Sequence, residues 1–168
     1  MSDQAIVVEL ADERDALALS LLTRDEIESG FGWNYRPDRF KALMREKETV
    51  VLVARAEPSQ TSDVAGFGVM NYGVKDAHLR LLATAPTHRR RGIARRLLAW
   101  LEKTARYAGI QSIHLEVRQG NSSALAFYHS LGYLKKKLIA DYYRGPNGLS
   151  ENAWHMVKNL STTRSLEL

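Results

Sequence analysis

The sequence predicts an α/β domain of the mixed, α+β kind, built on one sheet, and three observations carry that prediction. Residues 49–56 form a dense β-branched run, and two further apolar runs, 64–72 and 78–83, follow it across short turns. That spacing is the signature of an antiparallel meander. Residues 112–118 alternate strictly, with Ile113, Leu115 and Val117 on one side and His114, Glu116 and Arg118 on the other, as a half-buried strand does. Between these strands, Ile93, Leu97, Leu98, Leu101 and Ala105 recur at helical spacing after Gly92, which makes one apolar helix face. Strands and helices interleaved in this order pack as helices on a sheet.

Taken in order, residues 6–10 are a first β-branched strand. Asp12 is placed to cap a helix reaching about Thr23, with Leu17, Leu21 and Leu22 on one side. Residues 30–35 are a turn-rich aromatic connection. Pro37 then opens a second helix, with Asp38 in its first turn and Phe40, Leu43 and Met44 on its apolar face. Residues 57–63 read as a turn between strands. Gly109 ends the long helix. Asn121 caps a short helix bearing Leu125, Tyr128 and Leu131, which Gly132 stops. Residues 133–139 and 153–157 read as two closing strands, and residues 141–148 as a loop between them. The expected organisation is one domain over residues 1–160 with a frayed tail at 161–168.

Composition narrows the function. The chain has 168 residues, 45% of them hydrophobic, 26% charged and none cysteine. Disulfides, thiolate catalysis and thiolate metal sites are therefore excluded, and a reducing compartment fits. The amino-terminal residues carry no basic region or long apolar core, and no apolar run approaches a membrane span. A cytoplasmic protein without membrane contact is expected. The net charge of +5 suits an anionic ligand but is mild for a general nucleic-acid binder, so DNA is not expected as a partner.

The charge is concentrated where it has chemical meaning. Arg89, Arg90, Arg91, Arg95 and Arg96 surround Gly92 just after a strand that ends at Pro86 and just before a helix. A helix N-terminus presents free N–H groups and positive dipole to an anion. Glycine lets the anion approach, and arginines add charge-assisted hydrogen bonds. The plain alternative is a solvated basic face. The loop lacks the Gly-Lys-Ser/Thr ending of a nucleotide P-loop and the repeated glycines of a dinucleotide fingerprint.

The six residues Arg89, Arg90, Arg91, Gly92, Ile93 and Ala94 resemble the Arg/Gln-x-x-Gly-x-Gly/Ala signature of the GNAT acyl-CoA N-acyltransferases. They sit where that family needs them, after a strand and opening a helix. Residues 115–133, from Leu-Glu-Val through Phe127-Tyr128 to Gly132-Tyr133, resemble the family's second acyl-CoA segment. Residues 79–148 look most like the branch that acetylates bacterial ribosomal-protein alanine. The resemblance implies a mixed, mostly antiparallel central sheet flanked by helices, with acetyl-CoA as co-substrate and no metal. It implies that the backbone of Leu82, Ala83 and Thr84 pairs with the pantetheine arm. Arg90, Arg91, Gly92, Ile93, Ala94 and Arg95 would cradle the pyrophosphate, and Asn121 would touch the cofactor. By the same resemblance Glu116 is the general base and Tyr128 the general acid.

Chemistry suits those roles. An amine must lose a proton before it attacks a thioester, and an α-amino group has a pKa of about 8. A placed carboxylate takes that proton, a service worth roughly 10²–10⁴ in rate. A backbone N–H near Leu82 is placed to stabilise the oxyanion, and a phenol serves the departing thiolate. Against this, Glu116 also fits an ordinary solvent-facing strand residue, and Tyr128 a core aromatic. His114 shares the face of Glu116, as a wall or a substitute base. His78, His88, His129 and His155 show no metal-ligand spacing in the sequence. Trp33, Tyr35, Tyr142 and Tyr143 are candidates for an acceptor groove. The expected reaction is acetyl transfer to a primary amine, first a protein N-terminus and otherwise a polyamine, amino acid or aminoglycoside. The competing class is a non-catalytic CoA- or RNA-binding module. A monomer or a homodimer is expected.

Overall fold

The computed structural model describes residues 5–57 and 63–161. Seven strands form one sheet in the order β1-β2-β3-β4-β5-β7-β6. They are β1 (Ala5–Leu10), β2 (Thr49–Glu57), β3 (Val64–Tyr72), β4 (Asp76–Thr84), β5 (Ser112–Arg118), β6 (Leu134–Arg144) and β7 (Ser150–Asn159). The first four make the expected antiparallel meander, β4 and β5 are parallel, and β5, β7 and β6 are again antiparallel. Four helices, α1 (Ala16–Glu26), α2 (Pro37–Arg45), α3 (Ile93–Tyr107) and α4 (Ser122–Ser130), cover the sheet.

Two cores form on its two faces. Leu52, Met70, Leu79, Ile113 and Leu115 pack under α3 and α4. Val51, Val53, Phe67, Val69 and Leu81 pack under α1 and α2. The predicted apolar face of α3 is buried at all five positions. The helix lies close on β3 because Gly66 and Gly68 carry no Cβ. At Gly66 a Cβ would stand 2.8 Å from Ile93 Cγ2 and 2.9 Å from the Ala83 carbonyl oxygen.

A β-bulge in β4 bears on the site. Met70 pairs with Leu79 but Val69 pairs with Leu81, so Arg80 is an extra residue. An extra residue reverses which side chains face which way. Ala77 and Leu79 accordingly enter the α3 core, whereas Leu81 and Ala83 enter the α1/α2 core.

The structure corrects three local expectations. The α1 face is not Leu17, Leu21 and Leu22: Leu17 is 57% exposed, and Ala16, Leu19, Ser20 and Thr23 face inward. Two hydroxyls can occupy that face because each is satisfied, Ser20 donating to the Tyr35 carbonyl at 2.6 Å and Thr23 to that of Leu19 at 2.7 Å. Asp12 caps a short 3₁₀ turn that leads into α1, and the helix runs on past Thr23 to Glu26. Residues 141–144 are not loop but the end of β6, reached across an irregularity between Ile139 and Tyr143 where Asp141 has φ 51°. Only residues 146–148 turn. The expected turn at 58–62 and the tail from 162 lie outside the described residues.

Candidate active site

Parallel strands β4 and β5 pair at only three positions, ending at His78 opposite His114. Beyond that vertex they part, β4 staying with β3 as far as Thr84 and β5 staying with β7 as far as Arg118. The gap is a cleft of about 640 Å³, a size suited to a cofactor-sized ligand. Helix N-termini follow both strands, α3 after β4 and α4 after β5. Ligands of α/β sheets bind at such a crevice outside the strands' carboxyl ends.

One wall is the inner edge of β4. Leu82 lines the cleft, with Ala83 and Thr84 next along the strand. From Leu79 onward that edge has no strand partner among the described residues, so its backbone groups are open to an extended chain. At the end of β4, Arg90 and Gly92 both have positive φ, 62° and 69°. A Cβ at Gly92 would meet nothing within 4 Å, so the glycine serves the left-handed backbone and leaves the helix end open. No acidic residue stands in the first turn of α3. Arg90 and Arg95 are exposed, Arg91 and Ala94 half-buried, and Ile93 is anchored in the core. Arg89 instead pairs with Glu26 of α1. The remaining candidate, Asn121, lines the cleft while its Oδ1 accepts from Ala124 N at 3.1 Å to cap α4. An exposed helix start with open space and a bare strand edge fits a long ligand with an anionic end.

Glu116 and Tyr128 reach the cleft from opposite faces of the sheet. Tyr128 belongs to the α3/α4 core, against the edges of Phe127 and Tyr133, and still lines the cleft. Burial, then the neighbouring Tyr143 phenol, push its hydroxyl far above the ordinary tyrosine value. It holds its proton at any working pH. Glu116 points the other way, with 14% of its side chain exposed. It is therefore not an ordinary solvent-facing strand residue. His78 Nε2 lies 2.6 Å from its Oε2, and His155 Nδ1 lies 3.5 Å from its Oε1. Burial raises the Glu116 carboxyl, but the hydrogen bond and charge of His78, with His155, outweigh burial and hold it below the usual carboxylate value. His114 stacks on His78 with ring centroids 4.7 Å apart. Burial, then His78, lower the His114 imidazole.

Histidine spacing in the sequence gave no metal set, and folding creates one: ligand atoms of His78, His114 and Glu116 lie within 4.8 Å of one another. The two rings are nevertheless parallel to within 1°. A metal ion in the plane of one ring lies off the plane of the other, so a hydrogen-bonded cluster suits these rings better than shared ligation.

The far wall comes from the segment between α1 and α2 and from β6. Glu28 accepts the N–H groups of Asn34 and Tyr35 at 2.7 and 2.9 Å, folding that segment over the cleft. Arg118 donates to the carbonyls of Ile27 and Ser29 and stacks 4.4 Å from the Phe31 ring. Gly145, beyond β6, meets the same segment so closely that a Cβ there would be 2.9 Å from the Gly30 carbonyl oxygen. Tyr35, Tyr142 and Tyr143 line this wall. Trp33 does not: its indole donates to Ser20 Oγ at 3.0 Å, and Arg36 stacks on it.

A model of the acetyltransferase (GNAT) family matches residues 18–133. The chain belongs to the GNAT acetyltransferase family. Among GNAT relatives, it is 34% identical over 84 residues to the N-terminal acetyltransferase B complex catalytic subunit naa20 of Schizosaccharomyces pombe, covering 50% of this chain and 47% of that one. It is 31% identical over 90 residues to the ribosomal protein bS18-alanine N-acetyltransferase of Escherichia coli, covering 54% and 61%. The matches thus span about half to three-fifths of these relatives. The GNAT fold extends further. The crystal structure of the Escherichia coli ribosomal-protein-S18-alanine N-acetyltransferase superposes with TM-score 0.78 at 22% identity, covering 98% of this chain and 99% of that one. Arabidopsis thaliana NAA60 in complex with a bisubstrate analogue gives 0.81 at 19% identity, covering 94% and 100%.

Within this GNAT site the sequence reading missed His78 and His155 as neighbours of Glu116. Their signal is cross-strand register, with His78 opposite His114 and His155 opposite Glu116, and neither pairing is written in local spacing.

Proposed function

We propose that this protein is an acetyl-CoA-dependent N-acetyltransferase that acetylates the N-terminal amine of a protein or peptide by direct attack within a ternary complex. The observation that carries the reading is that Glu116 and Tyr128 open onto one cleft from opposite faces, just beyond the vertex where β4 and β5 part. When bound, acetyl-CoA supplies the acetyl group as an activated thioester. Its pyrophosphate would rest on the backbone of Arg90 to Arg95 at the start of α3, and its extended arm along Leu82, Ala83 and Thr84. Asn121 would touch it from α4. Backbone N–H groups on the open edge of β4 would donate to the thioester carbonyl oxygen.

The proton balance is then simple. Glu116 takes the proton of the attacking ammonium and returns it to solvent, and Tyr128 donates to the departing thiolate. Ionised Glu116 and protonated Tyr128 are the forms their surroundings favour. The N-terminal acceptor is supported by the names of the relatives and by the roof of the cleft. The segments around Gly30 and Gly145 touch and leave a slot for a chain end rather than an open groove. The reaction is placed in the cytoplasm; no helix among the described residues is long and apolar enough to cross a membrane.

The test is CoA release from acetyl-CoA in the presence of N-terminal peptides, N-blocked lysine peptides and small amines. Peptide N-termini are expected to be used best. Preference for a polyamine, amino acid or aminoglycoside would replace the acceptor, and RNA binding without CoA binding would overturn the enzyme reading. Tyr128→Phe should lower turnover with acetyl-CoA affinity nearly intact; unchanged turnover would remove Tyr128 from the mechanism.

A further inference from the structure

Four side chains meet on one face of the sheet at the vertex of the cleft, and the acid–base pair above uses only one of them. Register brings them together: His78 and His114 are opposite each other across β4 and β5, and Glu116 and His155 across β5 and β7. A carboxylate only accepts hydrogen bonds. With Glu116 ionised, the 2.6 Å contact therefore requires the hydrogen to sit on His78 Nε2. That bond occupies Oε2. Oε1 has only the longer 3.5 Å approach of His155, so it is the oxygen left for an incoming amine.

We propose that His78 is a positioning residue for the transfer: by donating Nε2–H to Oε2 of Glu116 it fixes the carboxylate so that Oε1 receives the proton of the acceptor amine. The proposal rests on the acetyl-transfer reading. The step balances without a further reactant, since an amine N–H bond breaks, an O–H bond forms on Glu116, and the proton later leaves to water.

The surroundings favour this arrangement over a free carboxylate. The His78 ring is held flat against His114, which limits its rotation and keeps Nε2 aimed along the strand gap. His114 has a buried Nδ1 without a hydrogen-bond partner among the described residues, and its burial favours the neutral ring, so the stack does not place a second cation against His78. The other charged or titratable groups around the cluster are Asp76 and Arg80 of β4, His155 of β7, Tyr142 and Tyr143 of β6, and Glu28 after α1. His155 approaches the same carboxylate from the far side at the longer distance and is the secondary support.

The experiment compares His78→Gln and His78→Leu with the wild-type chain. Glutamine keeps an N–H donor without a titrating ring; leucine keeps bulk without the donor. For CoA release with a peptide acceptor, His78→Leu is expected to lose about 10- to 100-fold in kcat, the usual scale for losing an orienting partner behind a reacting group, with KM for acetyl-CoA unchanged. His78→Gln is expected to recover most of the loss. A His78→Leu variant with wild-type kcat, or one changed only in KM, would overturn the proposal. A second measurement does not need turnover. Carboxyl NMR of glutamate-labelled protein should show the Glu116 midpoint moving up in His78→Leu, because the donor that lowers it is gone. An unmoved midpoint would overturn the proposal whatever the assay reads. If no amine is acetylated by the wild type yet the midpoint moves, the hydrogen bond stands and the acetyl-transfer reading fails.

Discussion

Glu116 and Tyr128 are tuned in opposite directions by the same agent, burial, and the difference lies in their partners. Tyr128 has only aromatic neighbours, so burial keeps it protonated. Glu116 has two imidazoles, which outweigh burial and keep it ionised. The sign of its contribution to stability follows. Its folded pKa lies below the unperturbed 4.5, so the stabilisation is complete above about 4.5 and is lost as the pH falls through the lower folded value. Thermal unfolding from pH 3 to 7 should therefore show the wild type losing its advantage over Glu116→Gln only in the acid range; a constant difference would contradict the pairing. The roles proposed for Glu116 and Tyr128 were legible in the sequence because alternation placed Glu116 away from the core and the family motif marked Tyr128. His78 and His155 were not, since their approach to Glu116 depends on which residue lies opposite which across three strands.

Elements position these residues through a few glycines and one irregular strand. Gly66 lets α3 settle on β3, with Ile93 Cγ2 and the Ala83 carbonyl oxygen both nearer than a Cβ tolerates. Gly66→Ala should cost about 1–3 kcal/mol in urea unfolding, the usual scale of overpacking. It should also displace the start of α3, weakening CoA binding by the same variant. Gly92 differs, because the space around it is open and only its φ of 69° requires glycine. Gly92→Ala should cost about 1–2 kcal/mol of backbone strain, whereas Gly92→Asp should in addition repel an anion at the helix start. Calorimetry with CoA separates the two; equal affinities would move the pyrophosphate elsewhere. Helix caps, the α3 face and the meander were readable from local chemistry. The end of β6 was not, because Asp141, Gly145 and Pro146 carry turn composition while Tyr143 and Arg144 still pair with Glu151 and Ser150 of β7.

The whole molecule is a sheet with two separate cores, and the cleft is where one sheet becomes two diverging halves. Phe40 is fully buried in the α1/α2 core with its ring 5.7 Å from Phe67. Phe40→Ala should cost about 3–5 kcal/mol and lower the melting temperature without moving the CoA site, which lies on the β4 edge and α3. Ligand linkage offers a complementary measurement. A ligand bridging the start of α3 and the open edge of β4 binds only the folded chain, so CoA at 100 times its Kd should add about 2.7 kcal/mol of stability. A melting temperature indifferent to CoA would remove CoA as the ligand. The order of elements and the family were readable over nearly the whole chain, but the divergence of β4 and β5 was not. It depends on a bulge, which composition does not announce.

That bulge makes β4 a strand with two phases. Before Arg80 the odd-numbered side chains serve the α3 core; after it they serve the α1/α2 core. Removing Arg80 alone would restore strict alternation and exchange the inner and outer faces of everything downstream, turning Leu82 and Thr84 toward the α1/α2 core and Leu81 and Ala83 away from it. Length changes in this strand are therefore constrained by parity. A single added or lost residue scrambles both cores and the cofactor edge together, while a pair leaves the facing intact and only shifts the helix start along the sheet.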